Sequence, residues 1–198
     1  MRIILASKSP RRKELLSTLF DDFECIPSQK EEIVSKKVSY KKLAELLSEQ
    51  KAEDIYSQTT GDRLIIGSDT MVVCDGKIFG KPKDETDAFN MLHSLSGKTH
   101  LVVTGLCVIK CERGVKEKLT TNVVTKVTFN HLTDKEIYDY IKTNEPMDKA
   151  GAYGCQGLGK KFISKMDGDF FAVMGLPVNK TYEFCKQLNV FAKINKLN

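Results

Sequence analysis

Tryptophan is absent from the 198-residue chain, and proline occurs five times and histidine three times. Aromatic residues make up 8%, and no stretch interleaves them with basic residues, so a stacking platform for nucleic acid is not expected. With 41% hydrophobic and 29% charged residues and so little proline, a disordered or fibrous chain is excluded. No apolar run approaches the roughly 20 residues of a membrane-spanning helix, so no membrane association is expected. The opening MRIILASKSPRR holds an apolar stretch of about four residues, too short for the core of a signal peptide. The six cysteines (25, 74, 107, 111, 155 and 185) form no C-x-x-C pair. His93, His100 and His131 form no H-x-x-H or H-E-x-x-H pattern, so a zinc site is not expected. Thiols without a secretory segment read as reduced, in a cytoplasmic protein. The net charge of +5 is too mild to imply a nucleic-acid binder but favours anionic substrates.

What is present alternates between strand and helix patterns. Strands are expected at Arg2–Ala6, Phe23–Pro27, Leu64–Cys74, Thr99–Lys110 and Leu119–Phe129, with Cys111–Lys118 as a polar loop. Asp75-Gly76 reads as a hairpin turn into Ile78 and Phe79. Helices are expected from Pro10 to Phe20, with Ser9 as N-cap, over 38–56, from about Asp84 to Leu95, from a Thr133/Glu136 capping box to Ile141, and over Val178–Val190. Phe162–Met166 and Phe170–Met174 are expected to pair around Asp167-Gly168. Four glycines fall within 147–160, which reads as a functional loop. The fold class is α/β: one domain over residues 1–198, with a mixed twisted sheet flanked by helices.

Four segments carry chemistry. Ser7-Lys8-Ser9-Pro10-Arg11-Arg12 lies between a strand and a helix, where hydroxyls, helix N–H groups and two guanidiniums suit an anion; a capped helix with two surface arginines is the plain alternative. Asp69 stands in an apolar strand, which is costly unless the carboxylate is paired or metal-bound; the alternatives are a solvent-facing position on an edge strand or a bulge next to Gly67. Lys81, between Gly80 and Pro82, could reach a phosphate or merely decorate a turn. In Asp148–Gly157, small residues allow backbone to approach a ligand, with Lys149 and Gln156 as polar groups, but the segment is not a P-loop. A divalent metal bound with phosphates needs one or two carboxylates, for which Glu31 and Glu32 are further candidates unless they are simply a solvated pair.

These segments together resemble the Maf family of nucleoside triphosphate pyrophosphatases. The matching blocks are Leu5-Ala6-Ser7-x-Ser9-Pro10-Arg11-Arg12-x-Glu14-Leu15-Leu16, Gly67-x-Asp69-Thr70-x-Val72 and Gly80-Lys81-Pro82, then Leu95-Ser96-Gly97 with His100 to Gly105. Asp148-Lys149-Ala150-Gly151-x-Tyr153-x-x-Gln156-Gly157 and Gly175-Leu176-Pro177 follow, in the family's order, over about residues 3–178. The resemblance implies a Maf/ITPase-like fold with a central cleft between two lobes, often as a homodimer. It also implies hydrolysis of a nucleoside triphosphate between the α- and β-phosphates, to a monophosphate and pyrophosphate, with magnesium or manganese. Asp69 matches the family's proton acceptor, and Glu32 and Asp69 match metal carboxylates. Arg11, Thr70 and Gln156 match positions tied to substrate choice; Ser7, Arg12, Lys51, Lys81 and Lys149 match other polar residues of the pocket. Lys149 with Gln156 resembles the dTTP/UTP branch, whereas a Glu at the Gln position marks a 7-methylguanosine triphosphate branch. Ala172 departs from the family's frequent Asn. The alternative is a non-catalytic nucleotide-binding protein or a regulator of cell division.

Overall fold

The structure is a computed structural model that describes residues 1–30 and 38–191. The chain divides into two compact units, one of Met1–Asp69, Thr104–Val123 and Gly175–Asn198, the other of Thr70–Val103 and Val124–Met174. The strands are β1 (Arg2–Leu5), β2 (Glu24–Cys25), β3 (Arg63–Cys74), β4 (Lys77–Phe79), β5 (Thr99–Glu112), β6 (Val115–Phe129) and β7 (Ile163–Asp167). Their order is β2-β1-β3-β5-β6-β7, with β4 paired to β3. The sheet is mixed, as expected. β1 runs parallel to β2 and β3, with Ile4 opposite Glu24 and Ile65, while β3–β4 and β6–β7 are antiparallel.

The first unit carries helices α1 (Pro10–Leu16), α2 (Tyr40–Gln58) and α6 (Val178–Gln187). Ser9 and Ser39 cap α1 and α2 by accepting the backbone N–H three residues on. Ile4, Ala6, Ala52, Ile55, Ile65, Cys107 and Ile109 form a buried cluster. α2 packs without side chains between it and the backbone of β3 and β5. A Cβ on Gly105 would lie 1.9 Å from the Ala44 carbonyl oxygen, and one on Gly67 2.4 Å from that of Ser48. Glycine is therefore required at both strand positions, and this close approach brings Lys51 of α2 to Asp69 of β3.

The second unit carries α3 (Glu85–Leu95), α4 (Asp134–Ile141) and α5 (Phe170–Met174), with short 3-10 turns at Glu145–Asp148, Ala150–Ala152 and Leu158–Phe162. Its core holds Val72, Leu92, Leu95, Phe129, Ile137, Tyr140, Tyr153 and Phe162. Asp84 caps α3, and the Thr133/Glu136 capping box opens α4.

Three expectations need correction. The polar stretch 111–118 is not a loop: Arg113 (φ 50) and Gly114 (φ 80) form a tight turn between two long strands. Its charges looked loop-like, but Lys116 and Lys118 ion-pair with Glu53 of α2 at 2.6 and 3.1 Å and hold β6 against the helix. Phe170–Met174 is a helix rather than a strand, because the Asp169 side chain accepts the Ala172 N–H at 3.1 Å and starts a helical turn. α1 stops at Leu16, and Ser17–Leu19 continue as turns.

Candidate functional site

In the first unit the site grows from the ends and middles of regular elements. β3 has β1 and β5 as its sheet neighbours, but β1 pairs with it only over Arg63–Ile66 and β4 only over Val72–Cys74, and between those two stretches lies Asp69. Its carboxylate is 13% exposed and ion-paired with Lys51, itself 17% exposed. The charge that would be costly in an apolar strand is thus compensated by a partner 18 residues earlier in the chain. Arg12 is also anchored. Its Nε donates to the Gly175 carbonyl at 2.8 Å and its Nη1 to Ser7 Oγ at 3.3 Å. Ser7, buried at 8% exposure, accepts the Ser9 N–H at 3.1 Å as well. Arg11 is half-buried on the same helix turn. The structure therefore brings Ser7 to Arg12 and Lys51 to Asp69; Glu32 lies outside the described residues.

One organising residue here, Ser68, had no motif to announce it. Ser68, fully buried beside Asp69, shares its hydroxyl between the carbonyls of Gly105 (2.9 Å) and Gly175 (2.8 Å). The Gly175 carbonyl thus receives both Ser68 and Arg12, and links the start of α1 to β3. A serine in an apolar strand is too common to have drawn attention.

In the second unit the polar residues sit on turns and on the segment after α4. The Gly151 N–H donates to the Gly80 carbonyl at 2.9 Å, which sets the Gly80-Lys81-Pro82 turn beside the Asp148–Gly157 segment. Gly151 has φ +68, and a Cβ there would lie 2.8 Å from Val72 Cγ2. Lys149 Nζ donates to the Glu145 carbonyl at 2.5 Å and to Asp148 Oδ1 at 2.7 Å. Gln156 and Lys81 are exposed, and Thr70 follows Asp69 as a half-buried residue of β3. The glycines also serve the packing of the segment itself. A Cβ on Gly157 would meet both Glu145 carboxylate oxygens at 2.5 Å, and one on Gly159 would lie 2.6 Å from the Tyr140 hydroxyl. At these two positions the backbone closely approaches the protein's own side chains.

Electrostatics marks several structural groups. Burial works against the Glu145 charge, but N–H groups of Leu158 and Gly159, the Tyr140 hydroxyl and the Lys149 charge outweigh it and hold the carboxyl below its usual value. His100 is 1% exposed, its Nε2 is 2.8 Å from the Tyr153 hydroxyl, and its Nδ1 has no hydrogen-bond partner. Burial pushes its pKa down to about 4, which marks a neutral core histidine. Burial pushes the Cys107 and Cys185 thiols up to about 12, so neither is a thiolate nucleophile. Ala172, where the resemblance expects Asn, is 2% exposed in α5. Among the described residues no group of three or more His, Cys, Asp or Glu side chains could hold a metal ion. No described helix is long and apolar enough to cross a membrane.

The first unit of this α/β protein thus carries an ion-paired carboxylate on β3 and an arginine, Arg12, fixed at a strand–helix junction. The family model for "Maf-like protein" matches residues 2–188, and the chain belongs to that family. It is 49% identical over 179 residues to a dTTP/UTP pyrophosphatase of Alkaliphilus oremlandii, covering 90% of this chain and 92% of the relative. It is 45% identical to the dTTP/UTP pyrophosphatase of Aquifex aeolicus, with 97% and 98% covered. For the protein of that name from Clostridium novyi the identity is 44%, with 96% and 99% covered.

Proposed function

We propose that this protein hydrolyses nucleoside triphosphates, dTTP and UTP foremost and modified nucleotides among them, between the α- and β-phosphates, releasing a nucleoside monophosphate and pyrophosphate. The observation that carries the reading is the ion-paired Asp69 on the central strand of a Maf-like chain whose similar relatives are dTTP/UTP pyrophosphatases. Asp69 orients and deprotonates the attacking water. Lys51 holds that carboxylate in place and keeps its charge compensated. Arg11, Arg12 and Lys81 bind phosphate oxygens and take up the charge that develops on the leaving pyrophosphate. Ser7 and Gly175 fix the Arg12 guanidinium through the bonds described above. Thr70, Lys149 and Gln156 read the base. Thymine and uracil present two carbonyl acceptors around one N–H, which an amide and an ammonium match without leaving a buried charge unpaired.

Magnesium or manganese fits this residue set. Such ions keep several waters and need one or two protein carboxylates beside the substrate's phosphates. Asp69 is a partly exposed carboxylate of that kind, and Glu32 is the second in this reading. When bound, the ion neutralises phosphate charge. A cytoplasmic location, a homodimer and a single domain over the whole chain belong to the same reading. The binding-only and cell-division alternatives are not favoured, because the similar relatives are named as enzymes. The test incubates the purified protein with dTTP, UTP, CTP, ATP, GTP and 7-methyl-GTP plus magnesium, and assays pyrophosphate and orthophosphate separately. Pyrophosphate released fastest from dTTP or UTP is expected; release of orthophosphate, or no turnover, overturns the reading.

A further inference from the structure

Glu145 sits at the start of the irregular segment after α4, and one residue fixes that segment at two points. Its carboxylate Oε1 accepts the Tyr140 hydroxyl at 2.9 Å and the Gly159 N–H at 3.2 Å, while Oε2 accepts the Leu158 N–H at 2.8 Å. Its main-chain carbonyl accepts Lys149 Nζ at 2.5 Å. The Tyr140 hydroxyl, 1% exposed on α4, accepts the Gly154 N–H at 3.2 Å while donating to Glu145. Residues 149–157 are thereby strung between the main chain and the side chain of Glu145, with Tyr140 gripping their middle.

The chemistry of the three carboxylate contacts demands an anion. Two N–H groups and a hydroxyl point at the side chain, and a carboxylate accepts all three. A glutamine of the same shape would set its NH2 against one of those donors. Space is equally restrictive, since a Cβ on Gly154 would lie 2.9 Å from Lys149 Cε and 3.3 Å from Glu145 Oε1.

We propose that Glu145, acting with Tyr140, is a positioning residue that sets the conformation of residues 149–157 and so presents Lys149 and Gln156 to the nucleotide. The proposal rests on the nucleotide reading above. It goes beyond it by placing control of base recognition on two residues that never touch the substrate.

The test uses the full-length protein with Glu145→Gln, Tyr140→Phe, Gln156→Ala and the Glu145→Gln/Gln156→Ala double variant. Steady-state kinetics on UTP with magnesium and amide hydrogen exchange over residues 149–159 are measured for each. Glu145→Gln should raise KM about tenfold, the loss expected for one charge-assisted hydrogen bond, with kcat changed less than about threefold. Exchange at Leu158 and Gly159 should accelerate by about tenfold or more. In the double variant the KM penalty should not exceed that of Gln156→Ala by more than about twofold, because Gln156 is already gone and Lys149 stays held by the main-chain carbonyl at position 145, which the substitution keeps. Tyr140→Phe should shift KM and exchange in the same direction by less, and it carries the test if Glu145→Gln does not fold. Multiplying KM penalties, or faster exchange with a parental KM, reduce Glu145 to a structural residue and overturn the proposal. A parent that hydrolyses UTP while Glu145→Gln keeps parental KM and exchange overturns the proposal and leaves the function reading standing. A parent that turns over no nucleotide overturns the function reading, and with it the proposed presentation to a nucleotide, while exchange still reports whether Glu145 holds the segment.

Discussion

The two units solve the same problem in opposite ways. In the first, the charged candidate groups among the described residues ride on regular elements: Asp69 on β3, Lys51 on α2, Arg11 and Arg12 on α1. Asp69 and Arg12 are each held by a partner far away in sequence, Lys51 for Asp69 and the Gly175 carbonyl for Arg12. In the second, Lys149 and Gln156 ride on an irregular segment whose shape depends on one carboxylate, Glu145. Groups on regular elements inherit rigidity from sheet and helix, whereas groups on irregular segments need dedicated hydrogen bonds. The first arrangement suits chemistry that must not vary, and the second suits recognition that can be retuned by one substitution.

The comparison breaks first, and hardest, at Asp69. Asp69→Asn should lower kcat by about a hundredfold to ten-thousandfold, the range of a general base, with the melting temperature shifted by no more than a few degrees. Turnover near the parental rate would remove Asp69 from the chemistry.

Arg12→Ala should cost about 2–5 kcal/mol in kcat/KM for dTTP, as expected for a cation paired with desolvated phosphate. Because Arg12 bonds to Gly175 and Ser7, it should also cost roughly 1.5–3 kcal/mol of folding stability, read by urea unfolding. An unchanged urea midpoint would show that the Gly175 contact does not hold the helix.

A third measurement separates the units by pH. His100 in the second unit is held neutral, its pKa lowered by burial from the ordinary 6.5 to about 4. The unfolded chain therefore binds a proton that the native state refuses between those values. Stability is full above pH 6.5, falls by roughly 1.4 kcal/mol per pH unit below it, and has lost about 3 kcal/mol by pH 4. Asp54 in the first unit behaves in the reverse sense. Burial opposes its charge, but hydrogen bonds from Ser28, Gln29, Gln58 and Lys30 hold its pKa at about 2. Its contribution is intact above its ordinary value of 3.8 and is lost only as pH falls from there towards 2. Acidification from pH 7 to 5 should thus lower the amide-exchange protection factors of Leu92 and Leu95 before those of Ile4 and Ile65. His100→Gln should flatten the slope over that range; an unchanged slope would assign it to other groups.

The smallest expected effect sharpens the comparison most. Gln156→Glu should lower dTTP and UTP turnover by about tenfold and raise that of 7-methyl-GTP, because a carboxylate pairs with a cationic base and repels carbonyl oxygens. A parent that already prefers 7-methyl-GTP would overturn the assignment of Gln156.

Local signals were legible in the sequence wherever the deciding interaction spans a few residues. Ser9, Asp84 and the Thr133/Glu136 box start their helices as read, and Asp75-Gly76 turns its hairpin with φ 50 and 74. Reading failed where a distant partner decides. Lys116 and Lys118 make a charged stretch into a strand only because Glu53 on α2 faces them. Phe170–Met174 looks like a strand by composition, but the Asp169 cap and its bond to Thr125 Oγ1 at 2.9 Å commit it to a helix.

The candidate site divides along the same line. The amino-acid sequence alone determined which residue types are available: a lone carboxylate in an apolar strand, paired arginines after Ser7, and a lysine and a glutamine among glycines. It also determined the family, because motifs are local strings whose order survives without coordinates. Only the tertiary structure decided that Lys51 neutralises Asp69, that Ser68 and Arg12 share the Gly175 carbonyl, and that the glycines at 157 and 159 make room for Glu145 and Tyr140. Such pairings depend on short distances between residues up to 163 positions apart. Hydrogen bonds and ion pairs fall off within a few ångströms, so packing, and not order along the chain, selects them.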